Sequence, residues 1–462
     1  MNQIVKKNEE YIVDIIDNGY EGEGIAKIDN FTIFIPGAIK GEKVKILIVK
    51  VTSSHAFGKI LEIIKTSESR NANIDCDTYK RCGGCNLRHI KYKDTLKLKR
   101  NIVQNLVNKT LKTKIEVKDT IGMENPYNYR NKAQYPIGVN KDGKAIIGVF
   151  ANRTHEVIEF DNCFIQNKES QEIAKFICDF VNQKNISVYN EKIGKGILRH
   201  IVIKIGLKTD KIMCILVING KNFKEEKELV DDLVSKFPKI KTIVKNINTK
   251  NTNVILGNEN VNLYGDGYIC DKLGDYTFKI SPLSFYQINP VQTEKLYNLA
   301  IEGASLTGKE IVFDLYCGIG TIGIYMAKHA KKVYGIEIVE QAIEDAKENC
   351  KINSIENAEY YAGDTQKLLI DLIKNKDIKP DVIVVDPPRK GLDNVTIENI
   401  INIKPKKVIY ISCNPATLTR DLSKLEETYD IKSIQPVDMF PFTSHVENVA
   451  LLVKSNESED WT

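Results

Sequence analysis

The sequence predicts an α/β protein in three parts: a small N-terminal β-barrel, a β-rich central domain and a C-terminal Rossmann-like domain. Three observations support this fold class. Short strand patterns separated by glycine-rich turns occupy the start of the chain, a cysteine-bearing loop and further strand patterns follow, and strands alternate with helices from about Ser284. The 462 residues are enough for several domains. We place the domains at residues 1–66, 67–283 and 284–462.

The composition is that of an ordinary globular protein, with 42% hydrophobic and 27% charged residues. No stretch approaches the ~20 apolar residues of a membrane span. The start of the chain, MNQIVKKNEEYIV, lacks the apolar core and cleavage site of a signal peptide. We therefore expect a cytoplasmic protein without membrane contact, whose ten cysteines form no disulfides. Nothing in the sequence requires more than a monomer.

The predicted barrel rests on five short segments between Tyr11 and Ile64. They read YIVDII, GIAKID, FTIFIP, EKVKILIVKV and FGKILEII, and the glycine-rich NGYEGEG separates the first two. Five short strands in so few residues are typical of a barrel of the oligonucleotide-binding (OB) type. An SH3-like barrel without a ligand is the alternative.

A basic segment follows, from Tyr79 to Lys118, in which lysine and arginine greatly outnumber the two acidic residues Asp94 and Glu116. Such a density suits phosphate neutralisation on a nucleic acid, but it is equally compatible with a solvated surface. The segment also carries apolar residues at helical spacing, which predict a helix over about residues 93–120: Leu96, Ile102, Leu106 and Leu111.

The middle of the chain reads as strands separated by one helix. The strand patterns are AIIGVFANRTHEVIEF, ILRHIVIKIG, KIMCILVING and VKNINTKNTNVILG, and the helix is predicted at about Glu169–Asn182. We expect one β-rich domain between the barrel and the Rossmann-like part.

A glycine-rich loop opens the Rossmann-like part. A strand runs into Gly318-x-Gly320-x-x-Gly323, a helix follows, and the next strand ends at Glu337. The glycines allow a tight turn and close approach of the backbone to a ligand at the helix N-terminus. The carboxylate of Glu337 is suitably placed to accept hydrogen bonds from ribose hydroxyls. The unit therefore predicts an adenosine-type ligand.

Two further carboxylates favour S-adenosylmethionine (SAM) over NAD as that ligand. Asp314 precedes the glycines, where its charge suits a cationic amino-acid moiety and repels a pyrophosphate. Asp364 follows the third strand of this part, where it can accept a bond from an adenine amino group.

Chemically suggestive residues also lie at the ends of the later strands. Asp386 follows the fourth strand in DVIVVDPPRKG, and Cys413 follows the fifth in KKVIYISCNP. In open α/β sheets this edge is where ligands bind. Glu447 stands near the start of a final apolar strand. From position alone Cys413 is either a core cysteine or a nucleophile, and Glu447 is either a solvated edge residue or a buried base.

The motifs SCNPATLTRD, DPPRKG and HVENVALL closely resemble those of the RNA uracil-5-methyltransferase family, which makes 5-methyluridine in ribosomal or transfer RNA. The segment SFYQINP (Ser284–Pro290) resembles the family's substrate-side loop, with Gln287 at its functional glutamine. The barrel resembles the TRAM domain found in the 23S rRNA branch. The resemblance implies a class I SAM methyltransferase domain and an RNA substrate.

Four cysteines extend the resemblance: Cys76-x5-Cys82-Gly-Gly-Cys85, with Cys163 much later, is similar to the 4Fe–4S site of the 23S rRNA branch. The spacing itself leaves zinc open. Structural zinc sites usually show two close pairs, and only Cys82 and Cys85 form one here, whereas a cubane cluster accepts solitary thiolates. The resemblance implies iron and sulfide, with zinc as the alternative.

The resemblance also assigns roles. Cys413 is expected to attack C6 of uracil as a thiolate, with its pKa lowered by the helix that begins after it. Glu447 is expected to be the base that removes the C5 proton, with its pKa raised by partial desolvation. Four side chains are expected around SAM or at its border with the uracil: Gln287, Tyr316, Glu337 and Asp386.

Arg130, Lys132 and Arg389 are candidate RNA contacts, although an exposed β-edge is the alternative for the first two. His200 and His445 receive no catalytic role. Because the barrel and the cysteine site accompany the catalytic motifs, we expect 23S rRNA as the substrate. Three alternatives remain: a tRNA T-loop uridine-5-methyltransferase, a cytosine-5 RNA methyltransferase, and a non-catalytic RNA-binding ribosome assembly factor.

Overall fold

In the computed structural model, which describes residues 4–152 and 154–455, three large sheets follow one another along the chain. The strands of the first sheet are β1 (Glu10–Asp14), β2 (Asp17–Asn18), β3 (Gly24–Ile28), β4 (Phe31–Ile35), β5 (Lys43–Val51) and β6 (His55–Lys65). Their order is β1-β5-β6-β4-β3-β2, and Ile16 N donates to Ile25 O at 2.8 Å just beyond β1, which closes the sheet on β3. Alternate apolar residues such as Ile33 and Ile46 fill its interior. The predicted N-terminal barrel is confirmed.

The basic segment forms α1 (Tyr92–Thr110), whose Val103 and Val107 pack into the core of the C-terminal domain. The helix ends ten residues before the predicted limit of about 120, so that prediction is wrong. Beyond it the chain is extended, and Lys118 N donates to the carbonyl of Ile434 at 3.1 Å. The backbone N–H of Lys118, which a longer helix would use, is therefore hydrogen-bonded to a distant strand. Among the described residues no helix has both the length and the apolar character needed to cross a bilayer.

The elements of the central domain are β7 (Lys132–Val139), β8 (Ala145–Phe150), β9 (Val157–Glu159), α2 (Lys168–Lys184), β10 (Leu198–Gly206), β11 (Lys211–Ile218), α3 (Glu226–Lys236), β12 (Ile240–Ile247) and β13 (Glu259–Gly265). The strands form one sheet in the order β13-β12-β11-β10-β7-β8-β9, and the helices pack against it. The helix predicted near 169–182 is present as α2, whereas α3 was not predicted. The predicted strand pattern VKNINTKNTNVILG is a strand only as far as Ile247, and the chain beyond it is irregular.

A hairpin of β14 (Ile269–Leu273) and β15 (Tyr276–Ile280) joins the central sheet to the C-terminal domain. Ile269 and Ile280 pack with the central sheet, while Leu273 and Phe278 pack into the C-terminal core. The hairpin is thus shared by both units, and the boundary near residue 283 stays a prediction.

The elements of the C-terminal domain are α4 (Pro290–Ala304), β16 (Ile311–Leu315), α5 (Thr321–Ala327), β17 (Lys332–Glu337), α6 (Glu340–Ile352), β18 (Ala358–Ala362), α7 (Thr365–Lys376), β19 (Val382–Val385), α8 (Asn394–Ile403), β20 (Lys407–Ser412), α9 (Pro415–Leu425), β21 (Tyr429–Val437) and β22 (Glu447–Lys454). The strands form the third sheet in the order β18-β17-β16-β19-β20-β22-β21. Strands β16 to β20 pair in parallel, and β22 runs antiparallel between β20 and β21. The order reverses at β16, and such a switch point opens a ligand crevice at the carboxyl ends of the strands.

Candidate active site

A cavity of about 670 Å³ opens at the carboxyl ends of β16, β17, β19 and β20. It lies where the strand order reverses, and it is bounded on the other side by the loop that precedes α4. Most of the residues that the sequence predicts for SAM binding and catalysis line it, together with the candidate RNA contact Arg389: Gln287, Tyr316, Gly318, Glu337, Asp364, Asp386, Cys413 and Glu447. Positions that are as much as 160 residues apart in sequence therefore share one site.

The glycine loop has the tight turn that its sequence requires. Gly318 and Gly320 have φ of 53° and 79°, and Gly320 directly precedes α5. Tyr316 also has a positive φ, 66°, which is uncommon for a residue with a large side chain. Residues with such backbone conformations are concentrated at functional sites. Its backbone N donates to the carbonyl of Ile336 at 2.9 Å, which holds this conformation against β17.

Two of the predicted cofactor residues, Asp314 and Gly320, support the glycine loop and do not line the cavity. Asp314 is fully buried, and its Oδ2 accepts a hydrogen bond from Gly323 N at 2.8 Å. Burial raises the pKa of Asp314 to about 8. A Cβ added at Gly320 would come within 2.9 Å of the Tyr360 ring, so that glycine is required by packing. The expectation that Asp314 meets the amino-acid part of SAM is therefore corrected: its carboxylate binds the loop backbone.

The other two carboxylates of the nucleotide site do face the cavity. Glu337 ends β17, and its carboxylate accepts hydrogen bonds from Gly318 N at 3.3 Å and from Val339 N at 3.0 Å. Asp364 caps α7 by accepting from Lys367 N at 3.2 Å. Both carboxylates are thus held at fixed positions by backbone N–H groups, as the recognition of an adenosine group requires.

Cys413 lies between β20 and α9 and is half-buried. Asn414 caps the helix by accepting from Ala416 N at 3.0 Å. The predicted helix is therefore present, but the expected lowering of the thiol pKa is wrong. Burial, followed by the nearby carboxylates of Glu447 and Asp386, raises the pKa of Cys413 to about 11, and the Arg389 guanidinium opposes this rise.

Glu447 begins β22 and is only 4% exposed. Burial, with a smaller contribution from the charge of Asp386, raises its pKa to about 8, as the sequence predicts for a desolvated carboxylate. Asp386 is half-buried at the end of β19, and burial raises its pKa to about 7. Gln287 Nε2 donates to Asp386 Oδ2 at 3.4 Å, which joins the substrate-side loop to the DPPR loop.

The structure also adds residues that the sequence did not single out. Phe285 lines the cavity with 67% of its surface exposed, two residues before Gln287. An exposed aromatic ring at a cavity mouth is a stacking surface for a base. Lys390 and His445 also line the mouth. The aromatic residues in SFYQINP were a signal for Phe285 that sequence reasoning overlooked.

A second, smaller cavity of about 150 Å³ contains all four predicted cluster cysteines, which are half-buried free thiols: Cys76, Cys82, Cys85 and Cys163. Two arginines, Arg88 and Arg130, also line it, and Arg130 Nε is buried without a hydrogen-bond partner among the described residues. Across residues 4–152 and 154–455, no set of three or more His, Cys, Asp or Glu side chains is arranged to hold a single metal ion.

The structure places the two candidate RNA contacts of the central domain away from the main cavity, so their role stays a prediction. Arg130 lines the cysteine cavity rather than the mouth of the main cavity. Lys132 is half-buried on β7 opposite Lys204, and burial lowers its pKa. Part of the basic segment also turns inward: Arg88 is 2% exposed and pairs with Asp75, and Lys99 is fully buried. Of the three candidates, only Arg389 is exposed at the main cavity.

Comparison with known proteins agrees with this geometry. Residues 91–455 match the family model described as tRNA (uracil-5-)-methyltransferase, and residues 5–61 match the TRAM domain. The chain belongs to this uracil-5-methyltransferase family. Among its relatives, an uncharacterized RNA methyltransferase of Clostridium acetobutylicum is 48% identical over 97% of this chain and 98% of its own length. One of Staphylococcus epidermidis is 45% identical over 98% of this chain and 100% of its own.

A solved structure supplies a neighbour for the uracil-5-methyltransferase fold. It is the Pyrococcus abyssi tRNA (uracil-54, C5)-methyltransferase in complex with S-adenosyl-L-homocysteine. The TM-score is 0.77 at 27% identity, over 96% of this chain and 100% of that one. Together these findings identify the chain as a SAM-dependent RNA methyltransferase with an N-terminal TRAM domain and a C-terminal class I methyltransferase fold.

Proposed function

We propose that this protein methylates C5 of a uridine in 23S rRNA, using SAM as the methyl donor, Cys413 as the nucleophile and Glu447 as the base. The observation that carries the proposal is that Cys413 and Glu447 share one cavity with the predicted SAM residues. A thiol and a buried carboxylate beside an adenosine-type site are what C5 methylation of uracil requires.

The chemistry follows from the poor nucleophilicity of uracil C5. The Cys413 thiolate adds to C6, forming an S–C6 bond and shifting the ring electrons to an enolate with electron density at C5. SAM, when bound, would supply the electrophilic methyl group to C5, and the electrons of its broken S–CH3 bond would stay on sulfur, leaving S-adenosylhomocysteine. Glu447 then accepts the C5 proton, and the electrons of the broken C–H bond restore the C5–C6 double bond as the S–C6 bond breaks. The thiolate of Cys413 is regenerated.

The electrostatics of the site support these roles. Glu447 has a pKa of about 8, so near neutral pH it takes a proton readily once ionised. The raised pKa of Cys413 falls when Glu447 is neutral, because the carboxylate charge is one cause of the rise. Arg389 favours the ionised forms of both groups. Asp386 accepts a hydrogen bond from Gln287, lines the same cavity and is proposed to contact the uracil ring or the donor.

SAM fits the cavity by the chemistry of its walls. Glu337 is proposed to bind the ribose hydroxyls, and Asp364 the adenine amino group. Gln287, Tyr316 and Asp386 line the same cavity and are proposed to border the methionine part of the donor. Gly318 allows the backbone to approach the ligand closely.

The cysteine cavity is proposed to hold a 4Fe–4S cluster. Zinc is the alternative, but it would require the thiols to move, because the described side chains are not arranged around a single metal ion. Its donor set consists of four thiols around one common space. Two arginines beside that space, one with an unpartnered Nε, suit a group that is anionic when bound by four thiolates. We assign the cluster no redox step in methylation: bound there, it would join the segment around Cys82 to the segment around Cys163.

The choice between 23S rRNA and tRNA rests on fewer observations than the proposal of uracil methylation. The TRAM domain does not discriminate, because the Pyrococcus abyssi protein named as a tRNA enzyme matches 96% of this chain, barrel included. The cysteine site still favours 23S rRNA through the resemblance of its motif. The named activity of that neighbour favours the second candidate, a uridine in the tRNA T-loop. Arg389 and Lys390, exposed at the cavity mouth, are suited to contact the phosphates of either RNA.

The test is covalent trapping with RNA that contains 5-fluorouracil, because fluorine at C5 blocks the final elimination. We expect the protein and SAM to form a complex with 23S rRNA fragments that resists denaturation. Cys413→Ala should form none, whereas Cys270→Ala, which changes a half-buried cysteine on β14, should trap RNA normally.

Each other outcome contradicts a stated part of the proposal. If only tRNA is trapped, the substrate is the T-loop. If neither RNA is trapped, or if Cys413→Ala still traps RNA, the covalent mechanism is wrong, and binding without trapping would favour the non-catalytic assembly factor.

A further inference from the structure

The loop between β2 and β3 of the barrel reaches the catalytic end of the methyltransferase domain. Tyr20 Oη donates to Asn414 Oδ1 at 3.0 Å, across 394 positions of sequence. Asn414 follows Cys413 directly and caps α9 with the same oxygen atom. A barrel residue is therefore bonded to the neighbour of the proposed nucleophile.

Asn414 is held from a second side as well. Its Nδ2 donates to the carbonyl of Arg389 at 3.1 Å. The side chain of Asn414 thus joins three segments: the barrel loop, the DPPR loop and the start of α9. Tyr20 is near enough to Cys413 and Arg389 for both to influence its pKa, with burial as the largest cause of the rise.

The barrel loop is itself fixed to the catalytic domain. Asn86 Nδ2 donates to Glu21 O at 2.7 Å and to Ser444 Oγ at 2.9 Å, and Ser444 N donates back to Asn86 Oδ1 at 2.8 Å. Gly22 has φ of 84°, and a Cβ built on it would lie 2.3 Å from Leu87 Cδ2. The loop therefore fits closely against the segments on both sides of it.

We propose that Tyr20 is a positioning residue of the active site, which fixes the Cys413 loop through Asn414 and makes the TRAM barrel part of the catalytic geometry. Removing its hydroxyl frees Asn414 Oδ1 on one side and loosens the turn that aims the thiol. The ring is 45% exposed, so the change need not disturb the barrel core. The inference rests on the proposed function of Cys413.

Two measurements with the full-length protein test it. The first is the alkylation rate of Cys413 by iodoacetamide without RNA, followed by mass spectrometry of the peptide that contains it. Tyr20→Phe should alkylate about 3- to 10-fold faster, the range that loss of one hydrogen bond corresponds to. The peptides that contain the buried Cys178 and Cys214 report on general unfolding and should not change.

The second measurement is the single-turnover rate of methylation at saturating RNA and SAM. Tyr20→Phe should be about 3- to 10-fold slower, again the equivalent of one hydrogen bond, with RNA affinity within about twofold of wild type. A merely structural role would not raise thiol reactivity while lowering turnover. Tyr11→Phe is the matched control, because its hydroxyl bonds Glu9 within the barrel.

A pair of glycine variants supplies an independent test. Gly22→Ala should reproduce both effects because its Cβ displaces the loop from Leu87. Gly41→Ala has a similar φ of 87° but no atom within 4 Å of the added Cβ, so it introduces the same backbone strain without the displacement and should leave both rates unchanged.

The proposal is overturned if Tyr20→Phe leaves the alkylation rate within twofold of wild type. It is also overturned if turnover is normal at saturating RNA, since Tyr20 would then be an RNA contact. If the wild-type protein methylates no uridine, the proposed function has failed, and the alkylation rate alone decides the positioning role.

Discussion

Ser412 and Asn448 face each other in the antiparallel pair of β20 and β22. The next position of the same register brings the residue after Ser412 and the residue before Asn448, Cys413 and Glu447, to one end of the sheet. A strand that returns antiparallel beside β20 therefore delivers the proposed base to the proposed nucleophile.

Glu447→Gln should accumulate the methylated covalent complex between Cys413 and RNA. The amide cannot accept the C5 proton, so the S–C6 bond is not broken and turnover should fall by roughly 10³-fold or more. The measurement is a denaturing gel with unmodified RNA and radiolabelled SAM. Release of free 5-methyluridine at the wild-type rate would contradict the assignment of the base.

The methylation rate should rise with pH between about 6.5 and 8.5. Glu447 must be ionised to take the C5 proton, and its pKa of about 8 leaves it largely protonated at lower pH. Cys413, with a pKa of about 11, shifts the profile in the same direction because its thiolate is the attacking form. Single-turnover rates across this range give the profile. A rate that is flat or falls with increasing pH would contradict the raised pKa values.

Glu337→Gln should weaken SAM binding by about 10- to 100-fold, as expected for loss of charge-assisted hydrogen bonds to the ribose. Part of the loss arises within the protein, because Glu337 also accepts from Gly318 N. Isothermal titration calorimetry measures the affinity. Glu340→Gln, in the exposed first turn of α6, is the control and should bind SAM normally.

Protein purified without oxygen should contain iron and sulfide in equal amounts, and Cys163→Ser should lose most of both. The half-buried Cys270, outside the cysteine cavity, is the matched control, and Cys270→Ser should retain them. Elemental and sulfide analysis decides the point. Zinc without sulfide would replace the iron–sulfur proposal with a zinc site.

Lys99→Met should lower the free energy of unfolding by about 3–5 kcal/mol, the range for breaking a buried ion pair. Lys99 Nζ donates to Asp438 Oδ1, and neither side chain is exposed to solvent. The substitution leaves the buried Asp438 carboxylate without its positively charged partner. Chemical denaturation measures the effect. Lys97→Met breaks an exposed pair with Asp94 and should change the stability by less than about 1 kcal/mol.

Most strands and helices could be predicted from local sequence patterns. The burial of charged side chains could not, because it depends on partners far away in the sequence. The strands of the barrel, the glycine loop and the strand ends that carry Asp386 and Cys413 follow from periodicity and turn residues. The burial of Lys99 does not, because its partners, the Asp438 carboxylate and the Phe440 carbonyl, lie 339 and 341 positions away. Helix α3 was missed because its apolar residues lie among many charges.

The pKa of Cys413 also could not be predicted from local sequence patterns alone. The sequence correctly places a helix after Cys413, and a helix N-terminus alone lowers a thiol pKa. It cannot show that β19 and β22 bring two carboxylates beside the thiol, and their charges together with burial reverse the direction. The role of Asp314 was wrongly predicted for a similar reason. Only the folded loop shows that its carboxylate accepts a hydrogen bond from Gly323 N.

The insertion of β22 between β20 and β21 also has a consequence for biosynthesis. Every other described strand is made before β22, yet the sheet is not complete and Glu447 is not in place until that strand inserts. A ribosome releases the chain from its N-terminal end, so the barrel and the central domain are able to fold while the catalytic domain is still being translated. The proposed nucleophile Cys413 is thus synthesised before its proposed base can stand beside it.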